Sequence, residues 1–221
     1  MNIDTTLLCA AVRLTPHIDE PGRELGPHKP SGSGFLVRDG SGSGSSLYLV
    51  TNRHVVDPRY AKGLRPGWRL TALEIRGYFQ SPRALDADAE PQPVRLESPM
   101  HVFPSKFGVD LAVVPLNESA GMTILEGRGR FNALPVSMIA GHHDFSSDIT
   151  IGRQVILSGY PGVEGQVAAR PLMVGGLIAT DPRYTAALGA EIREDEVFCH
   201  AFSWKGMSGC PVLVHLSRPT D

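Results

Sequence analysis

Three cysteines in 221 residues are too few, and odd in number, to make a disulfide framework. Cys9, Cys199 and Cys210 stand in unrelated sequence settings, which favours a reducing compartment and leads to the expectation of a cytoplasmic protein. An excess of charge is also missing. A formal net charge of −2 gives no electrostatic ground for a nucleic acid or an anionic membrane as partner. No apolar run approaches the roughly 20 residues that a membrane-spanning helix needs. The N-terminus carries Asp4 where a secretory leader would be basic, and its apolar stretch, Leu7 to Val12, stops at Arg13. It reads as a first β-strand.

What the chain does have in quantity is glycine, 24 residues, and proline, 18 residues, and these punctuate short apolar runs. That pattern predicts an all-β protein. Candidate strands in the first half are Thr6 to Leu14, Gly34 to Arg38, Ser46 to Val50, Arg69 to Phe79, Val94 to Glu97 and Asp110 to Leu116. In the second half they are Val136 to Ala140, Thr150 to Ser158, Pro171 to Ala179, Val197 to Phe202 and Pro211 to Leu216. Pro16 to Pro30 reads as a loop, and residues 39–45 as a flexible hairpin tip. Short helices are expected after His54 and over Arg183 to Ala190.

Three segments carry chemistry. Lys205-Gly206-Met207-Ser208-Gly209-Cys210-Pro211-Val212 sets a serine between two glycines ahead of an apolar strand. Glycine at 206 lets the backbone N–H groups around the serine turn inward as an oxyanion hole, built from Gly206 and Ser208. Serine is a poor nucleophile near neutral pH and needs a base within hydrogen-bond reach. Leu49-Val50-Thr51-Asn52-Arg53-His54-Val55-Val56 supplies one: an apolar strand runs into a polar turn that presents His54. Imidazole suits the role because it exchanges protons near neutrality. Val109-Asp110-Leu111-Ala112-Val113-Val114 places a lone carboxylate at the mouth of a β-branched run, where it would hold the imidazole tautomer. Such a group is costly to bury unpaired.

The order His54, Asp110, Ser208 and the motifs around it resemble the trypsin-like (chymotrypsin-fold) serine peptidases, and within them the bacterial glutamyl endopeptidase and HtrA-like branch. The resemblance runs from about Ser33 to Val212. It includes Gly34-Phe35-Leu36-Val37, LVTNRHVV around His54, DLAVV at Asp110, VILSGYPG from Val155 to Gly162, and GMSGCPV. It implies two six-stranded antiparallel Greek-key β-barrels and a serine endopeptidase that works through an acyl-enzyme on protein or peptide substrates, with no cofactor. On this reading residues 1–118 form a first barrel with His54 and Asp110. Residues 119–135 cross over, and residues 136–221 form a second barrel with Ser208. The substrate pocket floor would lie around His200, Phe202 and Trp204.

Several features have a plainer reading. Asp57 rivals Asp110 in sequence, but Pro58 follows at once and a local loop cannot easily reach behind the ring. Cys210 lies past the elbow and reads as buried filler. His142-His143-Asp144 lacks partners at zinc-site spacing and reads as a solvated loop, so no metal is expected. Gly159-Tyr160-Pro161-Gly162 reads as a structural turn, and Gly175-Gly176 as a strand bulge.

In one respect the family pattern is not met. Relatives continue past the nucleophile strand with a further strand pair and usually a helix, which wall the specificity pocket. Nothing after Leu216 matches them. Three explanations stand: a fragment of a longer polypeptide, a wall supplied by a further domain or partner chain, or impaired substrate binding. The last keeps open a non-catalytic interaction module of the same fold, alongside an esterase-like hydrolase.

Overall fold

The computed structural model describes residues 5–20, 23–27, 32–40, 45–57, 59–60, 67–78, 92–106, 108–116, 132–162, 170–188, 191–193 and 196–214. In chain order the elements begin with helix α1 (Thr5–Cys9) and strands β1 (Ala11–Glu20), β2 (Arg23–Pro27), β3 (Gly32–Asp39) and β4 (Ser46–Thr51). The short helix α2 (Arg53–Val56) precedes β5 (Arg69–Gly77), β6 (Gln92–Glu97) and β7 (Ala112–Pro115). Next come β8 (Leu134–Pro135), a 3-10 turn (Val136–Met138) and helix α3 (His142–Ser147). The remaining strands are β9 (Gln154–Gly159), β10 (Leu172–Ile178), β11 (Ala186–Leu188), β12 (Glu191–Arg193), β13 (Cys199–Ala201) and β14 (Val212–Val214).

The first sheet has eight strands: the path β6-β5-β1-β3-β4-β7 holds the six expected from the sequence, β2 pairs with β1, and the two-residue β8 pairs parallel with β3. Alternation explains why they form. Along β4, Leu47, Leu49 and Thr51 are buried while Ser46, Tyr48 and Val50 lie at intermediate depth. A two-way backbone pair between Val102 and Val113, with N to O distances of 2.8 and 3.0 Å, ties the segment that follows β6 to β7. The core of this sheet holds Val12, Leu14, Leu36, Leu49, Leu73, Ile75, Leu96 and Val114, all essentially inaccessible to solvent. Burying each such side chain contributes about 1.5–3 kcal/mol relative to exposure.

The second sheet runs β13-β10-β9-β14, with β11 and β12 as a separate hairpin. Its core is smaller: Ile149, Val155 and Ile178, with Phe145, Leu157 and Val214 packed against them. Among the described residues it is a curled four-stranded antiparallel sheet and a hairpin, in keeping with the all-β trypsin-like fold expected and with a second half that lacks part of its barrel. The chain is mostly β, as foreseen.

Local expectations fail in six places. Thr5–Cys9 is helical, so the first strand begins later, at Ala11, and runs on to Glu20. The supposed loop Pro16 to Pro30 holds the hairpin of β1 and β2. Val136–Met138 is a 3-10 turn where a strand was expected, and His142–Ser147 is an exposed helix where a loop was expected. Within Arg183 to Ala190 lies strand β11, paired to β12, where a helix was expected. β10 keeps unbroken register through Gly175 and Gly176, so there is no bulge. Gly176 serves close approach instead: a Cβ there would lie 2.6 Å from that of Ala201 on β13.

Candidate active site

Helix α2 owes its orientation to the core. Val55 and Val56 are buried in the first barrel, and Gly32 leaves the space that Val55 fills, since a Cβ there would lie 2.7 Å from its methyl groups. With those two side chains inward, His54 on the same short turn faces out and is exposed. Arg53 braces the turn. Its guanidinium lies 4.2 Å from the Phe103 ring centroid and 4.8 Å from that of Tyr60, and pairs with the buried Asp57 at 3.1 Å.

Asp110 meets His54 twice. The His54 backbone N–H donates to Asp110 Oδ1 at 2.9 Å, and Nδ1 lies 2.6 Å from Oδ2. A contact that short to a carboxylate assigns the proton to Nδ1 and leaves the Nε2 lone pair free of that partner. Asn52 completes the clasp by donating its side-chain amide to the Asp110 backbone carbonyl at 2.7 Å. Burial pushes the Asp110 carboxyl up, but the hydrogen bonds from the His54 ring and backbone outweigh it, and the net direction is down. Asp57 takes no part: Arg53 and Arg59 hold it, each at 3.1 Å.

Ser208 is exposed on a loop whose peptide carbonyls are all anchored. Lys205 O accepts from Gly162 N–H at 2.5 Å, and Gly206 O from the Ser33 hydroxyl at 2.7 Å. Met207 O accepts from Cys210 N–H at 2.9 Å, and Ser208 O from Ser33 N–H at 2.8 Å. In a trans peptide the N–H points opposite to the carbonyl. Gly206 N–H and Ser208 N–H therefore point away from the anchors at Gly162 and Cys210, and neither donates to protein among the described residues. Gly206 and Gly209 have φ of +95° and +87°, a region that favours glycine.

The elbow and the histidine turn lie against each other. A Cβ on Gly209 would meet Ser33 O, Thr51 Oγ1 and the Asn52 backbone nitrogen, and Asn52 is two residues from His54. The third contact of the set, from His54 Nε2 to the Ser208 hydroxyl, is not among the hydrogen bonds of the described residues. Such contacts are often long without substrate and tighten on binding.

The chain matches the trypsin-like peptidase domain over residues 32–217. It belongs to that family. Among solved structures, this trypsin-like chain is similar to the crystal structure of Deg5, at 17% identity and a TM-score of 0.53, covering 95% of this chain and 76% of that one. At that identity the likeness speaks for the fold. No curated protein sequence matches.

Other expected residues fall as follows. His200 pairs with Leu177 in β13, while Phe202 is exposed and stacks edge-on against Trp204 at 4.6 Å between ring centroids. Phe202 and Trp204 form an exposed aromatic pair three and five residues after β13 begins. An open cavity of about 440 Å³ is lined by residues such as Lys106, His142, Phe145 and Tyr184. Burial lifts the Cys210 thiol to about 11, and its Cβ packs on Gly159, which fits inert filler. His143 lies with Asp144 and Asp148 in an exposed cluster spanning 4.8 Å, but Asp144 is engaged by Gly141 N–H and Asp148 by the Ser147 hydroxyl. Ser33, Thr51 and Asn52 were not singled out from the sequence. The one signal was the small triplet Gly32-Ser33-Gly34, which marks close backbone approach.

Proposed function

We propose that this trypsin-like protein is a serine endopeptidase using His54, Asp110 and Ser208. The observation that carries the reading is the doubly hydrogen-bonded His54–Asp110 pair, which leaves Nε2 as the proton acceptor. Ser208 Oγ attacks the scissile carbonyl carbon and gives its proton to His54 Nε2. Asp110 holds the ring and stabilises the imidazolium. Gly206 N–H and Ser208 N–H receive the oxyanion. The imidazolium then protonates the leaving amine, and a water repeats the sequence on the acyl-enzyme. Substrates are proteins or peptides, as the family implies. Residues 1–118 contribute the base and its partner, and residues 136–221 the nucleophile.

A second reading has one observation in its favour. The absence, among the described residues, of a hydrogen bond from the Ser208 hydroxyl to His54 Nε2 suits a non-catalytic interaction module of the same fold. A fluorophosphonate probe decides between them. The peptidase reading expects covalent labelling at Ser208 that Ser208→Ala abolishes. Folded protein that never labels would sink it in favour of the module. Labelling without cleavage of any peptide in a library would point to an ester hydrolase.

A further inference from the structure

Ser33 is the only residue outside the nucleophile loop that holds two of its four anchored carbonyls among the described residues. It is fully buried, and every polar group it has is committed. Its hydroxyl donates to Gly206 O at 2.7 Å and accepts from Tyr160 N–H at 2.8 Å. Its N–H donates to Ser208 O at 2.8 Å, and its carbonyl accepts from the Thr51 hydroxyl at 2.7 Å. A hydroxyl has one proton to give, so the Tyr160 contact fixes which way that proton points.

The placement has a mechanical meaning. Ser33 sits at the start of β3, whose next residue, Gly34, pairs with Thr51, three residues before His54. One residue of the first sheet thus touches the strand that delivers the base, the loop that delivers the nucleophile, and the Gly159–Gly162 turn that anchors Lys205. The fit is tight. A Cβ on Gly159 would lie 3.1 Å from the Ser33 hydroxyl, and one on Gly34 would lie 2.7 Å from a Leu49 methyl. Flanking glycines are what allow the approach.

We propose that Ser33 is the positioning residue of the oxyanion-binding loop: its hydroxyl holds the Gly206–Met207 peptide and its N–H the Ser208–Gly209 peptide, the two units that alternate with the peptides carrying the Gly206 and Ser208 N–H donors, in register with His54. The proposal deepens the peptidase reading and rests on it for its kinetic part. Without the hydroxyl, Gly206 O and Tyr160 N–H are both left buried without that partner. The loop then turns to satisfy them, which moves the oxyanion donors. A misplacement of about 1 Å can cost on the order of 100-fold in rate.

The test compares wild type, Ser33→Ala, the near-isosteric Ser33→Cys, and Leu96→Ala as a core variant remote from the loop. Two quantities are read: the rate of fluorophosphonate labelling at Ser208, and amide hydrogen exchange at Tyr160 and Met207. Ser33→Ala should label at least tenfold more slowly, with kcat on any cleaved peptide falling and KM little changed. Tyr160 should exchange faster. Leu96→Ala should lower the melting temperature yet label at the wild-type rate per folded molecule. If Ser33→Ala does not fold, Ser33→Cys, whose thiol is a weak donor and acceptor, carries the same expectation. Wild-type labelling rates in both Ser33 variants would overturn the proposal, as would unchanged Tyr160 exchange. If wild type itself never labels, the peptidase reading fails, while faster Tyr160 exchange in the variants would still support Ser33 as the loop's anchor.

Discussion

His54 and Asp110 touch through two separate hydrogen bonds, so their substitutions separate orientation from charge. Asp110→Asn keeps the shape of the pair but can present an N–H to the ring and favour the wrong tautomer; turnover should fall on the order of 10⁴-fold. His54→Ala should cut labelling at Ser208 strongly without unfolding the protein, since the ring is exposed; circular dichroism beside probe labelling checks both. Asp57 gives a different prediction. Burial alone would raise its carboxyl, but hydrogen bonds from Arg59 and Arg53 bring it below the ordinary value. A carboxyl lowered on folding adds stability above its unfolded pKa and loses it as pH falls through the folded one. Denaturant midpoints should therefore drop in acid below about pH 4. Asp57→Asn should remove part of that slope and cost about 1–3 kcal/mol near neutrality. The three candidate residues stood out in the sequence because each sits in a short motif beside an apolar run. Ser33 and Asn52 were not, because their partners lie across the fold at residues 206, 208 and 110.

Among the elements, the loop that carries Ser208 packs tightly against the first sheet at Gly209. Gly209→Ala sets a Cβ on top of Ser33 O and Thr51 Oγ1 at a φ of +87°. It should lower the melting temperature and abolish labelling together, whereas Gly152→Ala, also at positive φ but with open space around it, should cost only about 1 kcal/mol and keep labelling. The strands of the first sheet could be read ahead of time because alternation survives in runs such as Ser46–Thr51. The helix at Thr5–Cys9 could not, because a short apolar run has no period to separate helix from strand. Pro16 argued against a strand, yet β1 tolerates it. Ala11–Leu14 pair with β3 on one side and His17 onward with β2, and Pro16 falls where the partner changes. Ala186–Leu188 are good helix formers held in a strand by pairing with Glu191–Arg193.

At the scale of the molecule, the first sheet carries the larger core among the described residues and the second the smaller one. The Val102–Val113 pair lies just after Asp110, so this tie and the carboxylate share a segment. Val113→Pro removes the donor of the 3.0 Å bond from Val113 N–H to Val102 O. It should loosen the tie, destabilise the fold by roughly 3 kcal/mol, and lose labelling by displacing Asp110; thermal melting followed beside probe labelling checks this. The order of the motifs suggested two halves, but nothing in it foretold that the described core of the second would be the smaller. Residues 171–179 and 197–202 carry enough apolar side chains to suggest full strands, yet their cross-strand partners are set by distant chain.

The exposed aromatic pair beside the elbow also makes the protein its own optical reporter. Trp204, four residues before Ser208, is 37% exposed and leans on Phe202, and the chain has a second tryptophan only at Trp68. Tryptophan emission from a Trp68→Phe variant would then arise from Trp204 alone, and a peptide settling over that pair should shift it to the blue before any bond is broken.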